Sequence, residues 1–382
     1  MTKRILSLLL SFAMLMTLGL TMVASAASVA GKQPYDFGGF YYSKLNENQK
    51  KAYRNICEKT TEGTSFPKRI AIPNMTKSEF EYATQAVCWD NPELFCLDYY
   101  DGAVVTALGT TYYIPSYTMK KDEYEKKLAK FRQEKDKIIA ACKKQASTPY
   151  ERELYVHDYI VDHASYPTGD EEAYEYHSIQ AFFETGDVVC EGYSAVMKYL
   201  LNDMGIPCRL IAGNGYETSL NQGGHAWVAV TLGNKEYLVD PLWDDKEELF
   251  DDPIHVFYNL PASSFSGHIS ERLTDNLAAD DDSQTYYIHF GLLYNDLDEA
   301  TAKLPNVIAQ NLGKGRTVVE FQFDGSRAYK AAKEKLLDQD GILPMIQNAN
   351  AKVPANRRVL PGTYRYRYYD EYRVIVVQLV KA

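Results

Sequence analysis

Apolar positions recur with a helical period in some stretches of this chain and alternate every second residue in others, and the changes of period predict its elements. Asn46 can cap a helix that ends near residue 57, and Thr76-Lys77-Ser78-Glu79 forms a capping box ahead of a second. That second helix carries Phe80, Ala83 and Val87 on one face and stops near Asn91-Pro92. β-Branched and tyrosine residues between 103 and 119 predict two strands. A charged helix follows over about 121–144, and Thr148-Pro149 opens another whose stripe is Leu154, Tyr155, Tyr159 and Ile160. After Cys190, apolar side chains fall at Tyr193, Val196, Met197, Leu200, Leu201 and Met204, one face of a buried helix that Gly205 and Pro207 end. Two strands, 226–232 and 235–240, flank Gly233-Asn234, a two-residue hairpin turn. The last stretch reads helix (298–311), strand (317–323), helix (326–337) and two strands (362–368 and 372–380).

The hairpin carries chemistry. Closing its turn pairs Leu232 with Lys235, which sets Trp227 opposite Asp240 and His225 opposite Leu242. His225, Trp227 and Asp240 then share one face, with His225 and Asp240 about 5.5–8 Å apart as diagonal neighbours. That spacing suits an imidazole–carboxylate hydrogen bond. Ala226, Val228, Val230, Leu232, Tyr237 and Val239 form the opposite, apolar face, and a one-residue slip would part the polar pair. Cys190 lies in the first turn of its helix, where the positive end of the dipole and unpaired N–H groups favour a thiolate and can hold an oxyanion. A thiol, a histidine to take its proton and a carboxylate to fix that histidine's tautomer suffice for nucleophilic attack on an amide. Gly192 leaves space for a substrate backbone beside the sulfur. Gln180 is a candidate side-chain oxyanion donor, and Trp227 is hairpin packing, a substrate platform, or both.

Cys190-Glu191-Gly192-Tyr193, His225-Ala226-Trp227 and Asp240-Pro241-Leu242-Trp243 resemble the transglutaminase-like superfamily of bacterial exported proteins, as does the lead from His177-Ser178-Ile179-Gln180 to Val189. The resemblance covers roughly residues 148–260. It implies an α+β fold with a papain-like core, in which a helix bearing the cysteine packs on an antiparallel sheet bearing histidine and aspartate. By motif position, Cys190 is the nucleophile, His225 the general base and acid, and Asp240 the orienting carboxylate. Val228 stands where the family often has asparagine, Leu242 where it often has threonine, and Gln180 where it frequently has tyrosine. These departures bear on substrate contacts and leave the triad intact. A protease or amidase acting on a protein or peptide, cell-wall peptide included, is favoured over a cross-linking transglutaminase. The alternative is a non-catalytic cell-surface or cell-wall binding module on the same fold.

Lys3 and Arg4 precede an apolar run ending near Val23, and Ala24-Ser25-Ala26 offers a cleavage site, the pattern of a secretory signal. The remainder divides into an N-terminal α/β extension (27–147), the catalytic core (148–262) and a small C-terminal α/β unit (284–382), joined by an acidic linker at Asp280-Asp281-Asp282-Ser283 read as solvated. A net charge of −10 argues against nucleic-acid and anionic-lipid partners. The six cysteines show no metal-binding spacing, and most read as buried small hydrophobes rather than disulfides. No cofactor is called for. Asp240, Asp244, Asp245, Asp251 and Asp252 lack a calcium-loop pattern and read as a solvated acidic loop. His157, His163, His177, His255, His268 and His289 read as surface or hydrogen-bonded structural residues.

Overall fold

The structure, a computed structural model, describes residues 39–168, 173–218, 221–245, 249–270 and 277–382. The expected leader and cleavage site lie outside the described residues, as do positions 219 and 220 of the loop before the histidine. The chain forms two compact units, one holding residues up to Leu94 with Tyr99–Ser116, the other Phe95–Asp98 with Tyr117–Ala382.

In the first unit, helices α1 (Phe40–Lys44), α2 (Glu47–Thr61) and α3 (Lys77–Asp90) accompany a three-stranded sheet of order β1-β3-β2: β1 Ile70–Ile72, β2 Leu97–Ala107 and β3 Thr110–Tyr117. Asn46 with Gln49 and Thr76 with Glu79 close reciprocal capping boxes, so the polar side chains at both helix starts satisfy orphan N–H groups. β2 begins earlier than its alternation suggests, because Asp98, Asp101 and Gly102 interrupt the pattern that the sheet overrides.

The second unit opens with α4 (Lys121–Gln145) and α5 (Pro149–His163), the latter capped by Thr148 with Glu151. Two more helices follow, α6 (Ile179–Glu184) and α7 (Cys190–Asp203). An antiparallel sheet of order β6-β5-β4-β7 comes next: β4 Cys208–Thr218, β5 Asn221–Leu232, β6 Lys235–Val239 and β7 His268–Ser270. Gly233 takes a positive φ of 66° in the hairpin turn, and Leu232 pairs with Lys235, Val230 with Tyr237 and Val228 with Val239, the register the sequence implies. After the short helix α8 (Tyr286–His289), a second sheet runs β10-β11-β9-β8, with β8 Leu293–Tyr294, β9 Val318–Phe323, β10 Val359–Tyr369 and β11 Val374–Lys381. It is accompanied by α9 (Leu297–Lys314), α10 (Ser326–Ala332), which runs on into a π-helical turn at Lys333–Asp338, and α11 (Leu343–Lys352). Helix α11 has no clear signal in the sequence: Pro344 and two weak helix formers, Asn348 and Asn350, blur its period.

Both faces of the catalytic sheet are buried. Helix α7 packs on β4 and β5, against the face carrying Val228, Val230, Tyr237 and Val239. The other face contributes Ile211, Trp227, Ala229 and Leu238 to a core shared with Phe250, Phe257, Phe265 and, from β11, Val374 and Val376. Each such side chain removed from water contributes roughly 1.5–3 kcal/mol. The face expected to present only the chemistry is therefore also a packing face.

Candidate active site

Helix α7 starts at Cys190. Its N-cap, Val189, offers no side-chain cap, and residues 191 to 201 behind the cysteine are buried while Cys190 itself is half-buried. The orphan N–H groups of the first turn therefore lie beside the cysteine. His225 projects from the middle of β5. Strand β6 stops at Val239, and Asp240 leaves the ladder to donate its N–H to the Phe257 carbonyl at 3.1 Å. The diagonal contact survives this departure: His225 Nε2 and Asp240 Oδ2 stand 2.5 Å apart. Cys190 stands near enough to the same imidazole to favour its charged form.

Burial by itself would disfavour a charged His225, but the charge and hydrogen bond of Asp240, and then those of Cys190, raise its pKa to about 10. Burial also works against an ionised Asp240. His225 first, then His268, hold its carboxyl well below the ordinary range. Asp240 Oδ1 accepts the N–H groups of Leu242 and Trp243 at 3.0 and 3.1 Å, so the carboxylate is fixed on both oxygens.

Two supporting assignments change, at Gly192 and Gln180, and a third, at Trp227, narrows to packing. Gly192 is close packing: a Cβ there would stand 2.7 Å from Val188 Cβ, and the space beside it belongs to Val188 and the Tyr176 carbonyl, not to substrate. Gln180 gives its amide N–H to Glu184 at 3.1 Å on the surface of α6, so that donor is not aimed at an oxyanion. Trp227, 1% exposed, lies in the shared core beside Phe265 and His268 and offers substrate no platform.

The acidic segments are also docked rather than solvated. Asp244 is fully buried, Asp245 accepts from the Tyr193 hydroxyl, Asp251 receives the Gln378 amide at 3.0 Å, and Asp252 caps the start of β9 through the Thr317 and Val318 N–H groups at 2.6 and 3.0 Å. Asp281 of the linker takes hydrogen bonds from Tyr237 (2.6 Å) and Lys235 on the hairpin. No disulfide joins any of the six cysteines.

Two residues at the site had no assigned role. Trp243 stacks on the His225 ring with centroids 5.1 Å apart. It stood within the quoted Asp-Pro-Leu-Trp segment, so a signal existed. His268 reaches the same oxygen of Asp240 at 2.8 Å. Nothing local marks it, because the strand that places it is three residues long.

Among the described residues, two clusters of histidine and aspartate place ligand-type atoms within 4.8 Å of one another: His225, Asp240 and His268, and His157, Asp158 and His255. In both, hydrogen bonds already join the facing atoms, and Arg316 pairs with Asp158, which opposes a cation there. Both donor sets fit protonated networks better than a metal.

A thiol at a helix tip and an imidazole–carboxylate pair on an antiparallel sheet define the machinery of a cysteine-dependent enzyme domain. Residues 136–241, which contain all three groups, match the family model described as Transglutaminase-like superfamily, so the chain carries a transglutaminase-like domain there. A solved chain described as "Crystal structure of a TGase" aligns at 15% identity with a TM-score of 0.25, over 52% of this chain and 58% of that one, so the match spans little more than half of that chain. No curated protein matches. The superfamily brings cysteine-dependent enzyme chemistry with it and leaves hydrolysis and transfer undivided.

Proposed function

We propose that this is an exported enzyme that opens an amide through a Cys190 thioester and passes the acyl group to water, acting on a protein or peptide. One observation carries the reading: Asp240 holds His225 at 2.5 Å on one nitrogen, and Cys190 stands near enough to the same ring to favour its charged form. His225 takes the thiol proton, and the sulfur attacks the amide carbonyl carbon. The carbonyl π pair moves to oxygen, where first-turn N–H groups of α7 stabilise it. Collapse breaks the C–N bond, and the amine leaves with the proton from His225. Water then attacks the thioester as His225 takes its proton, releasing a carboxylic acid and the free thiol. A primary amine in place of water would form a new amide. Hydrolysis is favoured because transfer requires water to be kept from the thioester, and Cys190 is partly exposed.

The test is incubation with a glutamine-containing protein and a labelled primary amine. Peptide or ammonia release without label supports hydrolysis, and covalent incorporation of the label refutes it in favour of transfer. If iodoacetamide alkylates Cys190 no faster than an ordinary exposed thiol near neutral pH, and His225→Ala changes nothing, the enzyme reading itself fails.

A further inference from the structure

One carboxylate oxygen at this site serves two histidines, where nucleophilic catalysis needs one. Asp240 Oδ2 faces His225 Nε2 at 2.5 Å and His268 Nε2 at 2.8 Å. The two rings arrive from β5 and β7, on either side of β4, whose Gly213 pairs with His225 and whose Gly215 pairs with His268. A Cβ at Gly215 would stand 3.0 Å from His225 Cβ and 3.1 Å from its Cγ, and one at Gly213 would stand 2.8 Å from the Ile269 carbonyl carbon. The missing side chain at Gly215 leaves room for the His225 ring, and that at Gly213 lets the backbone of β7 approach β4.

His268 is held firmly. Its other nitrogen, Nδ1, lies 2.9 Å from the Ser266 carbonyl oxygen, and its ring stacks on Phe265 at 3.9 Å, with Trp243 at 4.2 Å and Trp227 edge-on at 4.8 Å. Both nitrogens face oxygens that only accept, and a neutral ring can donate to just one of them. A donor on Asp240 Oδ2 draws charge away from the His225 bond to that same atom.

Resting on the Cys-His-Asp reading above, we propose that His268 is a positioning residue: it steadies Asp240 and moderates the pull of that carboxylate on His225, so that the His225 imidazolium can still release its proton to the leaving amine. The other ionisable groups facing the pair are Cys190, Asp244 one turn beyond Asp240, Tyr193 and Tyr372. None of them changes in the variants below.

Removing the donor should strengthen the His225–Asp240 pair and with it the thiolate–imidazolium form. In the full chain, His268→Phe keeps a ring between Phe265 and Trp243 without a donor, and His268→Gln keeps an amide donor. The rate of Cys190 alkylation by iodoacetamide is followed against pH, with the modified peptide identified by mass. The alkaline limb, where the imidazolium gives up its proton, should move up by about half to one pH unit in His268→Phe, and by less in His268→Gln, with the acid limb unmoved because the ring is charged on both sides of it. A wider pH span of the thiolate–imidazolium form is not what loosened packing would give. An unmoved or lowered alkaline limb, with or without a lower Tm, overturns the proposal. Should the phenylalanine variant not fold, an unmoved alkaline limb in His268→Gln overturns it alone. If the unchanged protein shows no enhanced alkylation and is indifferent to His225→Ala, the catalytic reading has failed, and this proposal with it.

Discussion

The second unit contains two clusters built from the same parts, and only one of them can react. In the first, His225 and His268 meet on Asp240 beside the half-buried Cys190. In the second, Asp158 Oδ1 lies 3.3 Å from His157 and 2.9 Å from His255. There His255 continues to Glu320 at 2.7 Å, His157 faces Asp244 at 3.3 Å, and Arg316 closes the far side of Asp158. Asp244 follows Asp240 by one turn and donates its N–H to the Asp240 carbonyl at 3.2 Å, so the same turn anchors both clusters. The second cluster joins α5, the segment around 255 and β9, with His157, His255 and Glu320 buried and Asp158 and Arg316 half-buried. Histidine and carboxylate are thus neutral as to purpose. A cysteine beside the pair makes a candidate site, and a guanidinium on the shared carboxylate makes a structural tie.

That contrast can be broken experimentally, beginning with the largest effect. Cys190→Ala should lower amide turnover by at least about a thousandfold with Tm unchanged, since Cys190 is only half-buried; a large drop in Tm would make Cys190 structural. Asp158→Ala should do the reverse, costing roughly 3–5 kcal/mol in a denaturant titration, because Arg316 and His255 lose their shared partner. Turnover per folded molecule should stay within about threefold, and a loss comparable to Cys190→Ala would merge the two clusters.

Alkaline pH should act on both clusters, because His225, like His255, is raised to about 10. Although burial works against its charge, Glu320 and Asp158 raise His255 from 6.5 to about 10. A group raised on folding contributes stability that is complete below its unfolded value and lost as pH climbs through the folded one. The window is therefore about pH 6.5 to 10, and Tm should fall across it by roughly 5–10 °C. Burial of Asp244, raised to about 6, and Glu153, raised to about 8, pushes the same way below that window and within it. His255→Gln should flatten the dependence, and an undiminished fall in that variant would assign it elsewhere. The smallest effect is expected at Gln180: with its amide on Glu184, Gln180→Ala should change turnover by less than about twofold, and a hundredfold loss would return it to the oxyanion.

The reactive cluster was far more legible than the tie. Cys190 was marked by a helical stripe behind it, and His225 with Asp240 by a two-residue turn whose register follows from counting. These are local signals, written in periods of 3.6 and 2. The tie had none: His157, Asp158, His255, Arg316 and Glu320 come from three separate stretches, and each alone reads as an ordinary polar residue on its element.

By itself the sequence determined the caps, most helix and strand positions, the hairpin register, and hence that His225 and Asp240 share a face. Tertiary structure alone decided that Gly192 is filled by Val188, that Trp227 is sealed in a core between two sheets, that the acidic loop docks on β9, and that His268 crosses β4 to a carboxylate already in use. The physical reason is range: dihedral preference and hydrophobic period act over a few residues, whereas burial and shared hydrogen bonds depend on which distant segment arrives, and no local pattern encodes that arrival.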